Sequence, residues 1–342
     1  MSIKSLAILM RNYLVFIQDK TIKIMLMIIS PLICGFFMLG VGAIDISLQK
    51  IISECYNYLF YGAELSNDGS IIIDTRLPRI LGAILIGASL SGCGAVMQSI
   101  FKNPLIDPFL LGISSGAALG CAIAIFTSIN LPLLAFCGAF FSAILILIIG
   151  KTSNNISLIL AGVVISAFLS AITSLIHFFV PAEKSQSITI WLFGSLGLVD
   201  YSDVAMIFVG FVICFGILFL LYSKINILSL QDSEAISLGV NITLIKSICM
   251  LAISFICALC VSVSGTIGWI GLVVPHIARF LVGSNMKILL PCSLSLGASM
   301  LLFSDGIARG ISTFDLPLGA VNAIIFAPFF ILLLFRYLNV RY

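Results

Sequence analysis

The chain has 342 residues, of which 61% are hydrophobic and 9% charged, with a mean hydropathy of +1.24; a soluble domain carries about 25% charged residues. That excess of apolar surface needs lipid as its solvent and excludes a soluble enzyme. The formal charge of +3, with no Lys/Arg run to make a basic patch, excludes a nucleic-acid partner.

At about 20 residues per crossing, there is room for roughly ten helices and short loops, and little left for a folded soluble domain. The expected class is an all-α, polytopic membrane protein. Residues 1–23 read as a cytoplasmic N-terminal segment carrying Lys4, Arg11, Lys20 and Lys23. The apolar run behind them is too long for a signal peptide and lacks a small-residue cleavage site, so it is expected to remain as the first membrane helix. Residues 24–342 then form a single transmembrane domain. Apolar runs bounded by charges and turn residues predict spans at 24–44, 80–100, 109–126, 131–150, 156–179, 203–222, 242–264, 269–283, 288–305 and 318–337. Ser187 to Leu196 is apolar but too short to cross, and is expected to be re-entrant or interfacial. An even count puts both termini on one side. Of the 17 Lys and Arg, only Lys50, Arg76, Arg79, Lys184 and Arg309 fall on the other side; the positive-inside rule therefore makes the terminal side cytoplasmic.

No Lys, Arg or carboxylate falls in the middle of a predicted span, whereas ion-coupled transporters keep ionisable groups at depth. Energy is expected from outside the chain. His177 and His276 lie near span ends and do not face each other at ligand spacing, so neither a metal site nor an intramembrane enzyme is indicated. The ten cysteines lie almost all within apolar runs. The close pair Cys257 and Cys260 has no His or acid beside it, and packing is its expected role.

Three segments carry mechanism. Lys102 to Asp107-Pro108 contains two prolines that force a break in the helix, either as a plain turn or as backbone bordering a transport path. Gly87, Gly92 and Gly94, and then Gly112, Gly116 and Gly120, are spaced for close helix approach. Asn226 to Asn241 is short and amphipathic. Leu228, Ala235 and Leu238 could form an apolar docking surface, with Asp232 and Glu234 near a helix start and Gly239 as its stop. A solvated loop helix is the alternative.

Arg76-Leu-Pro-Arg79, Gly94-Ala-Val-Met-Gln98, Asn103-Pro-Leu105, Leu111-Gly-Ile-Ser-Ser-Gly116, Leu160-Ala-Gly-Val163, Gly268-Trp-Ile-Gly-Leu-Val-Val-Pro-His-Ile-Ala-Arg279 and Leu316-Pro-Leu-Gly319 occur in order. Together they resemble the permease subunits of ABC importers for iron-siderophores, haem and vitamin B12. The resemblance implies the type II importer permease fold, with ten helices per protomer and both termini cytoplasmic in a bacterial inner membrane. It also implies a homodimer with a path along its interface, two cytoplasmic ATPase subunits that hold the ATP and Mg²⁺, and an extracytoplasmic substrate-binding protein. No cofactor is expected on this chain. Residues 226–241 would be the coupling segment, with Leu228, Ser229, Leu230, Asp232, Glu234, Ala235, Leu238 and Gly239 meeting the ATPase; Gln231 stands where many relatives have Gly. Arg76, Arg79 and Arg309 would dock the binding protein; as isolated residues they would read as interfacial snorkelling groups. Asn103 and Leu105 would narrow the cytoplasmic end of the path, and Asn154 and Asn155 would form a second constriction. Pro275, His276 and Arg279 match a family signature without an assigned role. The implied cargo is an iron complex (siderophore or haem), with a corrinoid or molybdate as the alternative.

Overall fold

The computed structural model describes residues 20–42, 44, 46–61, 65–150, 155–311 and 314–339. Residues 1–19 of the expected N-terminal segment and Asn154 of the expected second constriction lie outside them. The described residues contain helices and no strands: α1 (Lys20–Met38), α2 (Leu48–Tyr61), α3 (Leu77–Ile100), α4 (Ile113–Thr127), α5 (Leu131–Gly150), α6 (Asn155–Phe179), α7 (Ala182–Leu192), α8 (Tyr201–Leu220), α9 (Tyr222–Leu228), α10 (Asp232–Ser237), α11 (Ile242–Ser264), α12 (Ile270–Val282), α13 (Met286–Gly310) and α14 (Leu318–Asn339). Seven of them, α1, α3, α5, α6, α8, α11 and α13, are long and apolar enough to cross a bilayer. The shorter apolar helices α4, α12 and α14 complete the ten predicted segments in order.

Contacts between loops sort the helix ends into two sets. On one side Lys102 meets Asp232, Asn155 meets Lys246, and Asn226 meets Asn285. On the other, Arg79 meets Asp305 and Asp315, and Tyr201 meets the Ile73 carbonyl. This is the parity that ten alternating spans require, with the coupling segment and the helix break at one end.

The centre of the bundle is α3, which is buried along nearly its whole length against α8, α11, α12 and α13. Its small residues make that burial possible, because without side-chain bulk two backbones can approach closely. A Cβ on Gly94 would sit 1.9 Å from the Gly271 carbonyl oxygen of α12, and one on Gly116 of α4 would sit 2.3 Å from that of Gly138 on α5. Cys93, Cys257 and Cys260 are fully buried free thiols in this same core, as packing demands.

Three elements depart from the predicted segments. Helix α2 was not anticipated: its polar and apolar residues alternate too evenly for a span. It buries Ile51 against Ile46 and Ile72 while Tyr56, Phe60 and Tyr61 stay exposed, the amphipathic habit of a helix lying in the membrane interface. The second span begins well before residue 80, because Ser66 caps a helical turn at Asn67–Ser70 that runs through a π-helical turn, Ile71–Arg76, directly into α3. Arg76 and Arg79 therefore lie on continuous helix. Similarly, α13 continues one turn past Asp305, so Arg309 is a helical residue and not part of the following loop.

The short apolar segment expected at Ser187 to Leu196 is α7 followed by a turn at Gly194, whose φ is +74°. That turn receives backbone N–H bonds from Leu318 and Gly319, while Ser195 donates to the Ser264 carbonyl. The Leu316-Pro-Leu-Gly319 motif thus closes the start of α14 onto the end of α7.

Candidate coupling and gating site

After Ile100 the chain leaves the helix through Phe101 and Lys102, and Lys102 takes a left-handed φ of +55°, uncommon for a residue with a side chain. The Asn103 N–H donates to the Gln98 carbonyl (3.1 Å), and Asn103 Oδ1 accepts from the Leu105 N–H (3.0 Å), so the asparagine folds the loop on itself. Leu105 is left half exposed. Asp107 then accepts from the Phe109 N–H at 2.8 Å and starts a 3-10 turn at Pro108–Leu111. Burial pushes the Asp107 carboxyl up to about 6, with that hydrogen bond opposing the shift.

The expected coupling segment is a helix–turn–helix, α9 then α10. Asn226 on α9 accepts from the Met286 N–H (2.9 Å) and donates to Asn285 Oδ1 (3.1 Å), which pins α9 to the start of α13. Gln231 has φ −65° and ψ 149°, an extended conformation open to any residue. Its N–H donates to Glu234 Oε2. At the other end Gly239, at φ +74°, and Val240 donate to the Ile236 and Ala235 carbonyls, a Schellman motif that ends the helix as the sequence predicts.

The expected docking surface of Leu228, Ala235 and Leu238 is only partly right. Leu228 and Ala235 face inward and are buried, whereas Leu230, Ile236 and Leu238 are exposed. In so short a helix the face is set by which residue follows the cap. Ile236, one position beyond the residue chosen from the sequence, is the outward apolar group. Ser229, Asp232 and Glu234 are exposed around it.

Coupling segment and helix break are joined directly. Lys102 Nζ meets Asp232 Oδ1 at 2.5 Å. Asn155, the first residue of α6, donates to the Phe101 carbonyl at 3.3 Å and accepts from Lys246 Nζ, on the first turns of α11. Of the predicted constriction residues, Asn103 and Asn155 are therefore brought to one loop through Phe101. Lys102, the first residue of the proline-broken stretch, and Lys246, which no motif singles out, make the connections.

Beside this lies an open pocket of about 470 Å³ lined by Gln98, Lys102, Asn103, His276 and Arg279 among others. Arg279 donates to Gln98 Oε1 (3.2 Å) and Ser99 Oγ (3.3 Å), and Gln98 Nε2 donates to the Leu272 carbonyl (3.0 Å). The last residues of two motifs, Gly94 to Gln98 and Gly268 to Arg279, thus lock α3 to α12. His276 has no Cys, Asp, Glu or second His grouped with it for a metal among the described residues. His177 contacts Ser185 Oγ at 3.0 Å.

At the opposite end the three arginines expected to dock a partner are turned inward. Each is less than a tenth exposed. Arg79 makes a two-point contact with Asp305, through Nε (2.9 Å) and Nη2 (2.8 Å), and holds Asp315 through Nη1 (2.8 Å). Arg309 Nε lies 2.9 Å from Asp305 Oδ2, an ion pair without hydrogen-bond alignment. Its two terminal nitrogens donate to the Val41 and Met38 carbonyls. Arg76 donates to the Leu39 and Ile44 carbonyls. Cations at a helix C-terminus satisfy its orphan carbonyls and complement its dipole; here Arg76 and Arg309 do so for the end of α1. The protomer presents none of the three as a free cation on its surface.

Fold and site together define a polytopic helical membrane permease with a short exposed helix, α10, at one end of the bundle. The chain belongs to the FecCD transport family, which it matches over residues 28–336. It is 48% identical over 314 residues to a Helicobacter pylori protein named probable iron chelatin transport system permease protein, covering 90% of this chain and 96% of that one. It is 37% identical over 278 residues to the molybdate import system permease protein MolB of Haemophilus influenzae, covering 78% and 81%. A solved inward-facing chain assigned to a metal-chelate type ABC transporter superposes with a TM-score of 0.81 at 33% identity, covering 92% of this chain and 98% of that one.

Proposed function

We propose that this permease carries a ferric chelate, such as a siderophore complex or haem, across a bacterial inner membrane, powered by ATP hydrolysis on a separate subunit. Two ATPase subunits hold the ATP and Mg²⁺, a second permease copy completes the path, and an extracytoplasmic binding protein delivers cargo. The observation that carries this reading is the contact of the exposed α10 with the helix-break loop, Asp232 to Lys102. A helix of six residues that offers Ile236 and Leu238 to solvent is built to be pushed, and Lys102 gives that push an immediate route to Asn103. ATP binding and hydrolysis would then move α10, shift the break loop and rock the protomers between outward and inward openings. Higher identity to the iron chelatin relative than to the molybdate one favours an iron complex.

The test is ATPase activity of the chain with its partner ATPase in lipid nanodiscs, with binding protein loaded with ferric siderophore, haem, cobalamin or molybdate. Stimulation by a ferric chelate alone is the expected result. Stimulation by molybdate or cobalamin alone would replace the cargo, and failure to form a stable ATPase complex would remove the coupling role of α10.

A further inference from the structure

A second cavity, of about 480 Å³, lies between the coupling segment and the break loop, and its walls include Lys102, Asn155, Leu228, Asp232, Ile242 and Lys246. One carboxylate and two ammonium groups thus share one space. Lys102 is paired with Asp232. Lys246 is 3% exposed, and among the described residues its Nζ meets the neutral Asn155 Oδ1 and the face of Phe101, 4.9 Å from the ring centroid. Among the described residues no carboxylate lies within ion-pair distance of Lys246. A buried ammonium held only by neutral groups is poorly compensated, and a carboxylate that could compensate it lines the same cavity.

The pairing that is made is the easily broken one. The Asp232 side chain is 69% exposed and that of Lys102 32%, so water competes for both. The Lys102 backbone sits in its left-handed conformation, a state that persists only while its surroundings hold it.

We infer that Asp232 is exchanged between two lysines during transport, pairing with Lys102 in the arrangement seen here and with Lys246 once the coupling helix is displaced. Leaving Lys102 frees the loop that carries Asn103. Reaching Lys246 draws its ammonium from Asn155 and so loosens the hold of α6 on the Phe101 carbonyl. A single carboxylate on α10 thereby addresses both constriction segments. Lys102 and Lys246 are positioning residues in this scheme, acting through Asn103 and Asn155. The inference rests on the coupling role of α10 proposed above.

The test uses the full importer, permease with ATPase and binding protein in nanodiscs, and reads transported cargo per ATP hydrolysed alongside ATPase binding. Lys246→Met keeps the length of the apolar stem and removes the second seat. It should leave ATPase affinity within about twofold and lower cargo per ATP at least about tenfold, a split that general destabilisation would not produce; Lys246→Arg should restore most of it. Asp232→Asn, at an exposed position, should uncouple comparably, and adding Lys246→Met to it should cost little more. Wild-type cargo per ATP in either Lys246→Met or Asp232→Asn, or simple multiplication of their effects, would overturn the exchange. A wild-type complex that shows no cargo-stimulated ATPase would instead overturn the function beneath it.

Discussion

The two ends of the bundle use charge in opposite ways. At the extracytoplasmic end Arg79, Asp305 and Arg309 are buried together, each guanidinium makes several contacts, and α1 is fastened by Arg76 and Arg309 through backbone carbonyls. At the cytoplasmic end the Lys102–Asp232 contact is a single, largely solvated pair, and among the described residues no carboxylate lies within ion-pair distance of Lys246. Multipoint buried pairs are costly to break because each leaves an uncompensated charge behind, while a solvated pair can part with water taking its place. The difference assigns rigidity to one end and exchange to the other.

The largest expected effect breaks the rigid end. Asp305→Ala leaves two buried guanidinia facing each other and should destabilise the protomer by about 3–5 kcal/mol, seen as a pronounced fall in the thermal unfolding midpoint in detergent or nanodiscs. An unchanged midpoint would mean that the arginines reorganise toward water, and would reopen the expectation that they meet an acidic partner.

Next comes the surface at the other end. Ile236 is mostly exposed, so Ile236→Glu should change the protomer's stability by less than about 0.5 kcal/mol. The same substitution should weaken ATPase binding by about tenfold or more, a loss of about 1.4 kcal/mol or greater, measurable by co-purification or titration in nanodiscs. If Leu228→Glu instead produced the selective loss with a stable protomer, the inward assignment of Leu228 would be wrong.

Between these in kind, though smaller, is the stop of the coupling helix. Gly239→Ala forces a side chain into φ +74° and should cost about 1 kcal/mol locally, read as faster amide exchange at Gly239 and Val240 with the global midpoint unchanged.

How much of this was legible in the sequence follows from what each feature depends on. The ten segments and their order were, because each is a run of apolar residues interrupted by charges or by Gly and Pro, and lipid leaves little choice about such runs. So were the close helix contacts at Gly94 and Gly116 and the stop at Gly239. Helix α2 was missed because it does not cross, and its pattern of Leu48 to Tyr61 carries no span signal. The internal pairing of the arginines was hidden for a different reason. Nothing near Arg79 in sequence reveals Asp305 or Asp315, more than 220 residues away, so the charge was assigned to a partner outside the chain. Lys246 escaped notice likewise, since its contacts to Asn155 and Phe101 exist only once α6, α11 and the break loop have met.

The smallest effect tests whether burial, and not charge alone, separates the two ends. Lys50 and Asp68 also form an ion pair on the extracytoplasmic side, but their side chains are 49% and 28% exposed, against 9% and 0% for Arg79 and Asp305. Water can replace either partner, and fixing two flexible side chains consumes what the attraction supplies. Lys50→Ala should therefore leave the unfolding midpoint where it is, at low and at high salt alike. A fall approaching that of Asp305→Ala would show that α2 is anchored through this pair to the helical turn at Asn67–Ser70, and that the rigid end extends outward to include it.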